Sequence, residues 1–205
     1  MEVLIGKKLG MTQVFEESGS LTPVSVIQAG PCPIVQVKTP DRDGYSAIQI
    51  GFGEIRDKRV SKPLKGHFKA GDVSLCRILK EVRVDDASQF KVGESLDVKI
   101  FEGSEKVHVA GEAKGRGFAG TIKRHKFQRG PKTHGSKNIR EPGSVGMCAT
   151  PSRIFKGKRL PGRLGGQRAT VKNLRIVQID PENNLLFVEG AIPGANDGFV
   201  FVSKA

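Results

Sequence analysis

The chain has 205 residues, with 34 Lys+Arg against 21 Asp+Glu and a formal net charge of +13. That length supports one sizeable core, or one core with an appendage, and the basic balance favours a polyanion over an acidic metabolite as partner. No apolar run approaches bilayer-spanning length, and Cys32, Cys76 and Cys148 are scattered without C-x-x-C spacing, which argues against a membrane span, a disulfide scaffold and a zinc knuckle.

The N-terminus, Met1-Glu2-Val3-Leu4-Ile5, enters a strand pattern at once and has no leader-like segment, so the expected location is the cytoplasm, or the compartment in which the chain is encoded. Strands are predicted at Pro23-Val24-Ser25-Val26-Ile27, at Ile34-Val35-Gln36-Val37 and at Ser46 to Phe52, with turns at Ala29-Gly30-Pro31 and at Pro40 to Gly44. Ser61 and Pro63 mark a helix start, and Gly71 would close that short helix. Leu75 to Val84, Leu96 to Phe101 and Lys106 to Val109 are again strand-like, as are Val171 to Ile179, Asn184 to Val188 and Phe199 to Val202. Asp180-Pro181-Glu182-Asn183 reads as a hairpin turn. Many short strands with regular turns favour a closed barrel over a sandwich, because closure removes exposed edges.

One stretch breaks this pattern. Residues 111–175 contain 17 Lys+Arg against Glu112 and Glu141 alone, a net of +15, while the other 140 residues carry 17 basic and 19 acidic side chains. The same stretch holds 12 of the 26 glycines but only 17 apolar residues. A glycine-rich segment that repels itself and has little to bury needs a polyanion to order it, and a nucleic-acid backbone supplies one. The expected organisation is a discontinuous globular domain, 1–110 with 176–205, interrupted by a basic extension, 111–175, between two adjacent barrel strands. Fully extended, its two arms would reach about 100 Å.

The candidate binding residues lie along both arms. The first offers Lys114, Arg116, Lys123, Arg124, His125, Lys126, Phe127, Arg129, Lys132, His134, Lys137 and Arg140. The second offers Arg153, Lys156, Lys158, Arg159, Arg163 and Arg168, interleaved with glycines. Arg and Lys neutralise phosphates, and glycine lets backbone N–H groups approach them closely. Phe127 and the two histidines can stack on bases; alternatively Phe118 and Phe127 anchor the loop to protein, and both readings stay open. Gly115-x-Gly117-x-x-Gly120 matches a dinucleotide fingerprint in form only, because no crossover helix or second apolar strand follows. The four histidines show no metal-ligand spacing with the cysteines, no nucleophile elbow or paired carboxylates occur, and no catalysis, cofactor or metal is expected.

Several motifs resemble the bacterial-type large-subunit ribosomal protein L-three family: Ile5-Gly6-Lys7-Lys8-Leu9-Gly10-Met11-Thr12-Gln13-Val14-Phe15, Gly66-His67-Phe68, Gly115-Arg116-Gly117-Phe118-Ala119-Gly120, Thr133-His134-Gly135-Ser136, Pro142-Gly143-Ser144-Val145-Gly146, Phe155-Lys156-Gly157-Lys158 and Gly190-Ala191-Ile192-Pro193-Gly194. The resemblance runs through essentially the whole chain, in order. It implies a mainly β fold: a closed six-stranded Greek-key β-barrel of the translation-protein type, with short helices and a long, basic, irregular loop extension inserted between strands. It implies a structural constituent of the large ribosomal subunit in the cytoplasm, a monomer within the ribosome and without membrane association. Its partners would be large-subunit (23S-type) rRNA and neighbouring large-subunit proteins. It further implies early assembly, stabilisation of rRNA near the peptidyl transferase centre, and an extension tip near that centre at Gly143, Ser144, Val145, Gly146, Met147, Cys148, Ala149, Thr150 and Pro151. The alternative is a free RNA-binding or translation-factor-like protein that visits the ribosome transiently.

Two departures from the family pattern stand out. Many bacterial members read Lys-Arg-Trp-Asn-Phe where this chain has Lys123-Arg124-His125-Lys126-Phe127, so His125 must stack or pack in place of a tryptophan. At the tip, Gly146-Met147-Cys148-Ala149-Thr150-Pro151 replaces the common Gly-Gln-Asn-Gln-Thr-Pro, whose second Gln is methylated in some bacteria. Ala149 offers no amide there, so mass spectrometry of peptides covering 143–153 should find no methyl group; a methylated peptide refutes this.

Overall fold

The computed structural model describes residues 3–16 and 19–205; the strand pattern read at Met1 and Glu2 lies outside the described residues. In chain order the first half contains strands β1 (Val3–Phe15), β2 (Leu21–Ala29) and β3 (Cys32–Lys38), the single helical turn α1 (Pro40–Asp43), β4 (Ala47–Glu54), helix α2 (Lys62–Ala70), β5 (Cys76–Arg83), β6 (Ser95–Leu96) and β7 (Lys106–Glu112). There follow β8 (Phe118–Ala119), helix α3 (Thr121–His125), β9 (Gly162–Arg163), β10 (Arg168–Asp180), β11 (Leu185–Glu189) and β12 (Phe199–Lys204).

Six of these strands close a barrel in the order β1-β12-β7-β10-β11-β2, and every adjacent pair is antiparallel. Alternation along the strands explains why they bury one face. Leu4 lies opposite Val202 and Val202 opposite Val109, while Ile27 faces Leu186; all five are fully buried. Each such aliphatic side chain contributes roughly 1.5–3 kcal/mol of apolar burial. The β10–β11 turn is held by Asp180, whose carboxylate accepts the backbone N–H groups of Glu182 and Asn183 at 3.1 and 3.3 Å and the Asn183 amide at 2.8 Å. Those donors, the Asn183 side chain first, hold the Asp180 carboxyl below its ordinary range.

Not every strand belongs to the barrel. A four-stranded antiparallel sheet, β5-β4-β3-β6, forms separately, and its Ile34, Ile48 and Ile50 join Ile5 and Leu4 in one core cluster. Cys32 begins β3 and donates its thiol to the Ile5 carbonyl at 3.3 Å; burial pushes that thiol up to about 12, so it packs as a small hydrophobe. The strand predicted over Leu96 to Phe101 is shorter than expected. Only Ser95–Leu96 pairs, against Pro33 and Cys32, and Val98–Phe101 is a 3-10 turn that fully buries Val98 and Phe101. A short apolar run reports burial, and periodicity alone cannot assign it to a sheet. The turn predicted at Pro40 to Gly44 is α1, closed by Gly44 at φ 82° with its N–H bonded to Pro40 O.

The chain divides into two compact units: the described residues up to Ala113 with Arg168–Ala205, and Lys114–Gln167. Every residue of the core cluster lies in the first unit. The second is inserted between β7 and β10, which are neighbours in the barrel. Residues 111–112 belong to β7 and 168–175 to β10, so the ends of the basic stretch are barrel strand.

Gly6 sits where β1 crosses β2: a Cβ there would lie 2.7 Å from Ile27 Cγ2 and 2.8 Å from the Gln28 carbonyl oxygen. Gly6→Ala is expected to destabilise the barrel by about 2 kcal/mol through overpacking, read as a lower denaturant midpoint with an unchanged slope; an unchanged midpoint would show that the crossing can relax.

Candidate nucleic-acid interface

Residues 114–167 carry 14 Lys+Arg and one carboxylate, Glu141. Among the described residues, no ion pair involves any of these cations. All except Arg124, which is half-buried, are exposed. The unit therefore presents its charge unneutralised, as a polyanion-binding surface requires.

Backbone geometry, not a core, shapes this unit. β8 pairs with β9, Phe118 opposite Arg163 and Ala119 opposite Gly162. The ladder continues from Arg116 N–H to Leu164 O at 2.8 Å and from Leu164 N–H to Gly117 O at 2.9 Å. Gly165, at φ 74°, lies so close to the Lys114 carbonyl that a Cβ could not be accommodated. These contacts bind the two arms into a stem on which Lys114, Arg116 and Arg163 are exposed.

Above the stem, helix α3 spans Thr121–His125 and ends at Lys126 in the left-handed region, φ 62°, its N–H bonded to Ile122 O at 3.0 Å. Lys123 and Lys126 are exposed. Arg124 and His125 turn instead to the second arm, and both reach the Leu160 carbonyl: Arg124 Nη1 donates at 2.7 Å and His125 Nε2 lies at 3.1 Å. The His125 and Phe127 rings are 6.1 Å apart and tilted by 46°. His125 thus packs on Phe127 and bonds to backbone. Phe118 is 81% exposed and its ring is open for stacking.

The remaining first-arm residues, Arg129, Lys132, His134, Lys137 and Arg140, are exposed on a loop closed by Gly130 N–H to Ile139 O at 3.0 Å. Gly130 packs against the Asn138 carbonyl so tightly that a side chain is excluded. On the second arm Lys156, Lys158 and Arg159 are exposed, and the Arg153 guanidinium sits 5.6 Å from the Phe155 ring centroid. Arg168 belongs to the first unit, at the start of β10. In the segment 143–151, Ser144 Oγ donates to Gly146 O at 3.0 Å, Val145 and Pro151 are half-buried, and Gly143, Met147, Cys148, Ala149 and Thr150 are exposed. Met147 is 70% exposed.

Leu160 is the residue that sequence reasoning missed. Its carbonyl gathers Arg124 and His125, 36 and 35 positions away, and a backbone acceptor leaves no signature in residue type. Thr121, the first residue of α3, and Ala119 just before it are both buried, and both were equally invisible in a segment read as irregular.

A family profile described as Ribosomal protein L3 matches residues 72–185. The large ribosomal subunit protein uL3 of Acidothermus cellulolyticus is 54% identical over 203 residues, covering 98% of this chain and 91% of that protein. The proteins of the same name from Syntrophobacter fumaroxidans and Synechococcus sp. are 52% and 55% identical, covering 100% and 98% of this chain and 97% and 94% of theirs. With a closed six-stranded barrel, a basic unit inserted between neighbouring strands, and identity above one half along nearly its whole length, the chain belongs to the ribosomal protein L3 family.

Proposed function

We propose that the chain is a structural constituent of the large ribosomal subunit, working in the bacterial-type cytoplasm, and that its residues 114–167 bind large-subunit rRNA. One observation carries this reading: 14 cations against one carboxylate, all but Arg124 exposed and, among the described residues, without ion pairs, on a unit that has no part in the hydrophobic core cluster. Such a unit gains stability when phosphates replace the missing counter-charge, and counterion release supplies the free energy. The stem glycines and the α3 turn hold the cations in a fixed order along the backbone, so that RNA shape, not base identity, sets the register. The barrel is the folded platform that docks among rRNA and neighbouring large-subunit proteins. Segment 143–151 is the part that approaches the peptidyl transferase centre, and binding is early enough to support subunit assembly. The role is structural and not enzymatic.

About eight phosphate contacts by these cations would give a log-log salt slope of roughly −6. Deleting 117–160 removes no residue of the hydrophobic core, so the remaining barrel should still unfold cooperatively while its affinity for large-subunit rRNA falls at least about a hundredfold at physiological salt. Undiminished affinity in that deletion sinks the proposed role of the inserted unit.

The competing reading is a free RNA-binding or translation-factor-like protein that visits the ribosome. Sedimentation of a native lysate through a high-salt sucrose gradient separates the two. A built-in constituent stays with the large subunit in stoichiometric amount; release to the top of the gradient favours the visitor.

A further inference from the structure

With 114–167 set aside, the rest of the chain has 20 Lys+Arg and 20 Asp+Glu. A cluster of cations on the barrel unit is therefore not the by-product of a generally basic surface. One such cluster nevertheless surrounds a hollow of about 290 Å³ on the outer face of β12, β7 and β10, beside β5.

Strand alternation builds it. Val107 and Val109 of β7 are fully buried in the core, so His108 and Ala110 face outward. Across the ladders Ser203 lies opposite His108, and Phe201 and Thr170 lie opposite Ala110. Ala110 contributes only a methyl group to the floor, and the space above it stays open. Lys80 and Arg83 from β5 and Arg168 from β10 line the hollow together with His108.

Among the described residues, none of the three cations is in an ion pair. Lys80 Nζ sits 5.5 Å from the Phe201 ring centroid and Arg83 Cζ 5.3 Å from that of Tyr45, contacts that orient a cation and leave its charge in place. Two carboxylates are near. Glu81 lines the hollow; Lys38 engages it at 2.7 Å, and the charge of Arg83 also acts on its carboxyl. Glu112 is the cross-strand partner of Arg168, yet among the described residues no ion pair joins them. His108 accepts the Asn173 N–H at Nδ1, 3.0 Å, which places the proton of the neutral ring on Nε2 as a donor. Thr170 and Ser203 add hydroxyl groups.

We infer that this hollow seats a phosphodiester of the rRNA backbone, a second anchor on the barrel unit that is independent of residues 114–167. Three cations around one small space match an anion whose charge is spread over several oxygens and whose neighbours along the strand are also charged. Hydroxyl and imidazole donors complete the shell, and a contact to phosphate fixes position and carries no sequence information.

This inference rests on the rRNA-binding reading above, and one experiment separates their fates. Binding of the full-length chain to purified large-subunit rRNA is measured across a range of KCl concentrations for the wild type, for K80Q/R83Q and for Ala110→Leu. The double variant changes surface side chains, and melting curves verify that it folds; Ala110→Leu fills the hollow without touching a charge. Expected is a log-log slope shallower by about one to two in K80Q/R83Q, with weakened binding in Ala110→Leu as well. A steep slope unchanged by K80Q/R83Q overturns the hollow and leaves the inserted unit as the binding element. A wild-type slope near zero overturns both. A photo-crosslinker at Ser203 in intact large subunits should yield an RNA adduct; an adduct with an acidic protein segment instead overturns the assignment to phosphate.

Discussion

Like-charge repulsion inside residues 114–167 is the constraint on which the rest of the structure depends. Two cations about 8 Å apart in water repel by about 0.5 kcal/mol before screening, and this unit holds 14 with a single carboxylate to offset them. No apolar cluster opposes that repulsion: the buried side chains near α3 are Ala119 and Thr121. The unit is instead ordered by backbone hydrogen bonds, by the short β8–β9 ladder and by the two side chains that converge on Leu160. Such bonds fix a path for the chain without burying its charges, which keeps them available to an external polyanion.

The barrel answers the opposite requirement. It must be stable enough to carry a segment that stabilises nothing, and it does so by closing all six strands so that no barrel edge is left unpaired. The whole hydrophobic cluster lies in this unit and continues from the barrel into the second sheet through Ile5, Cys32 and Ile34. Because β7 and β10 are neighbours, the chain leaves the barrel and re-enters it across one hydrogen-bonded ladder. An insertion at such a place costs the barrel little more than a longer hairpin loop, since closure entropy rises only slowly with length. Ordinary folding and extraordinary charge are thus kept on separate stretches of one polypeptide.

Much of this was legible in the residues. Turn chemistry marked β2, β3, β4, β10, β11 and β12 to within a few positions, and Ser61, Pro63 and Gly71 bounded α2. The exceptions have physical causes. Val98–Phe101 looks like a strand because its residues are apolar, and they are apolar because they are buried beneath a 3-10 turn. The separation of β3–β6 from the barrel could not be read, since both sheets use the same alternating pattern and differ only in which edges meet. Within the basic segment, α3 was hidden by a composition of glycine and charge, and His125 could be assigned to packing only once Phe127 and Leu160 were placed around it.

The sequence by itself determined that basic charge and glycine are gathered in one internal stretch and apolar residues outside it, because net charge, glycine content and apolar content are sums over residues and need no coordinates. It also determined which strands bury a face, because the period of two is written in residue order. Only the tertiary structure decided where charge is concentrated outside the obvious segment. Lys80, Arg83 and His108 look unremarkable in their own stretches, and Arg168 joins them from the end of the basic one; the four come from three strands spread over 89 positions. Barrel closure sets His108 of β7 beside Arg168 of β10, and the packing of β5 from the second sheet brings Lys80 and Arg83 to the same hollow. Proximity between distant residues is a property of strand order and register, and a linear pattern of residue types does not encode it locally.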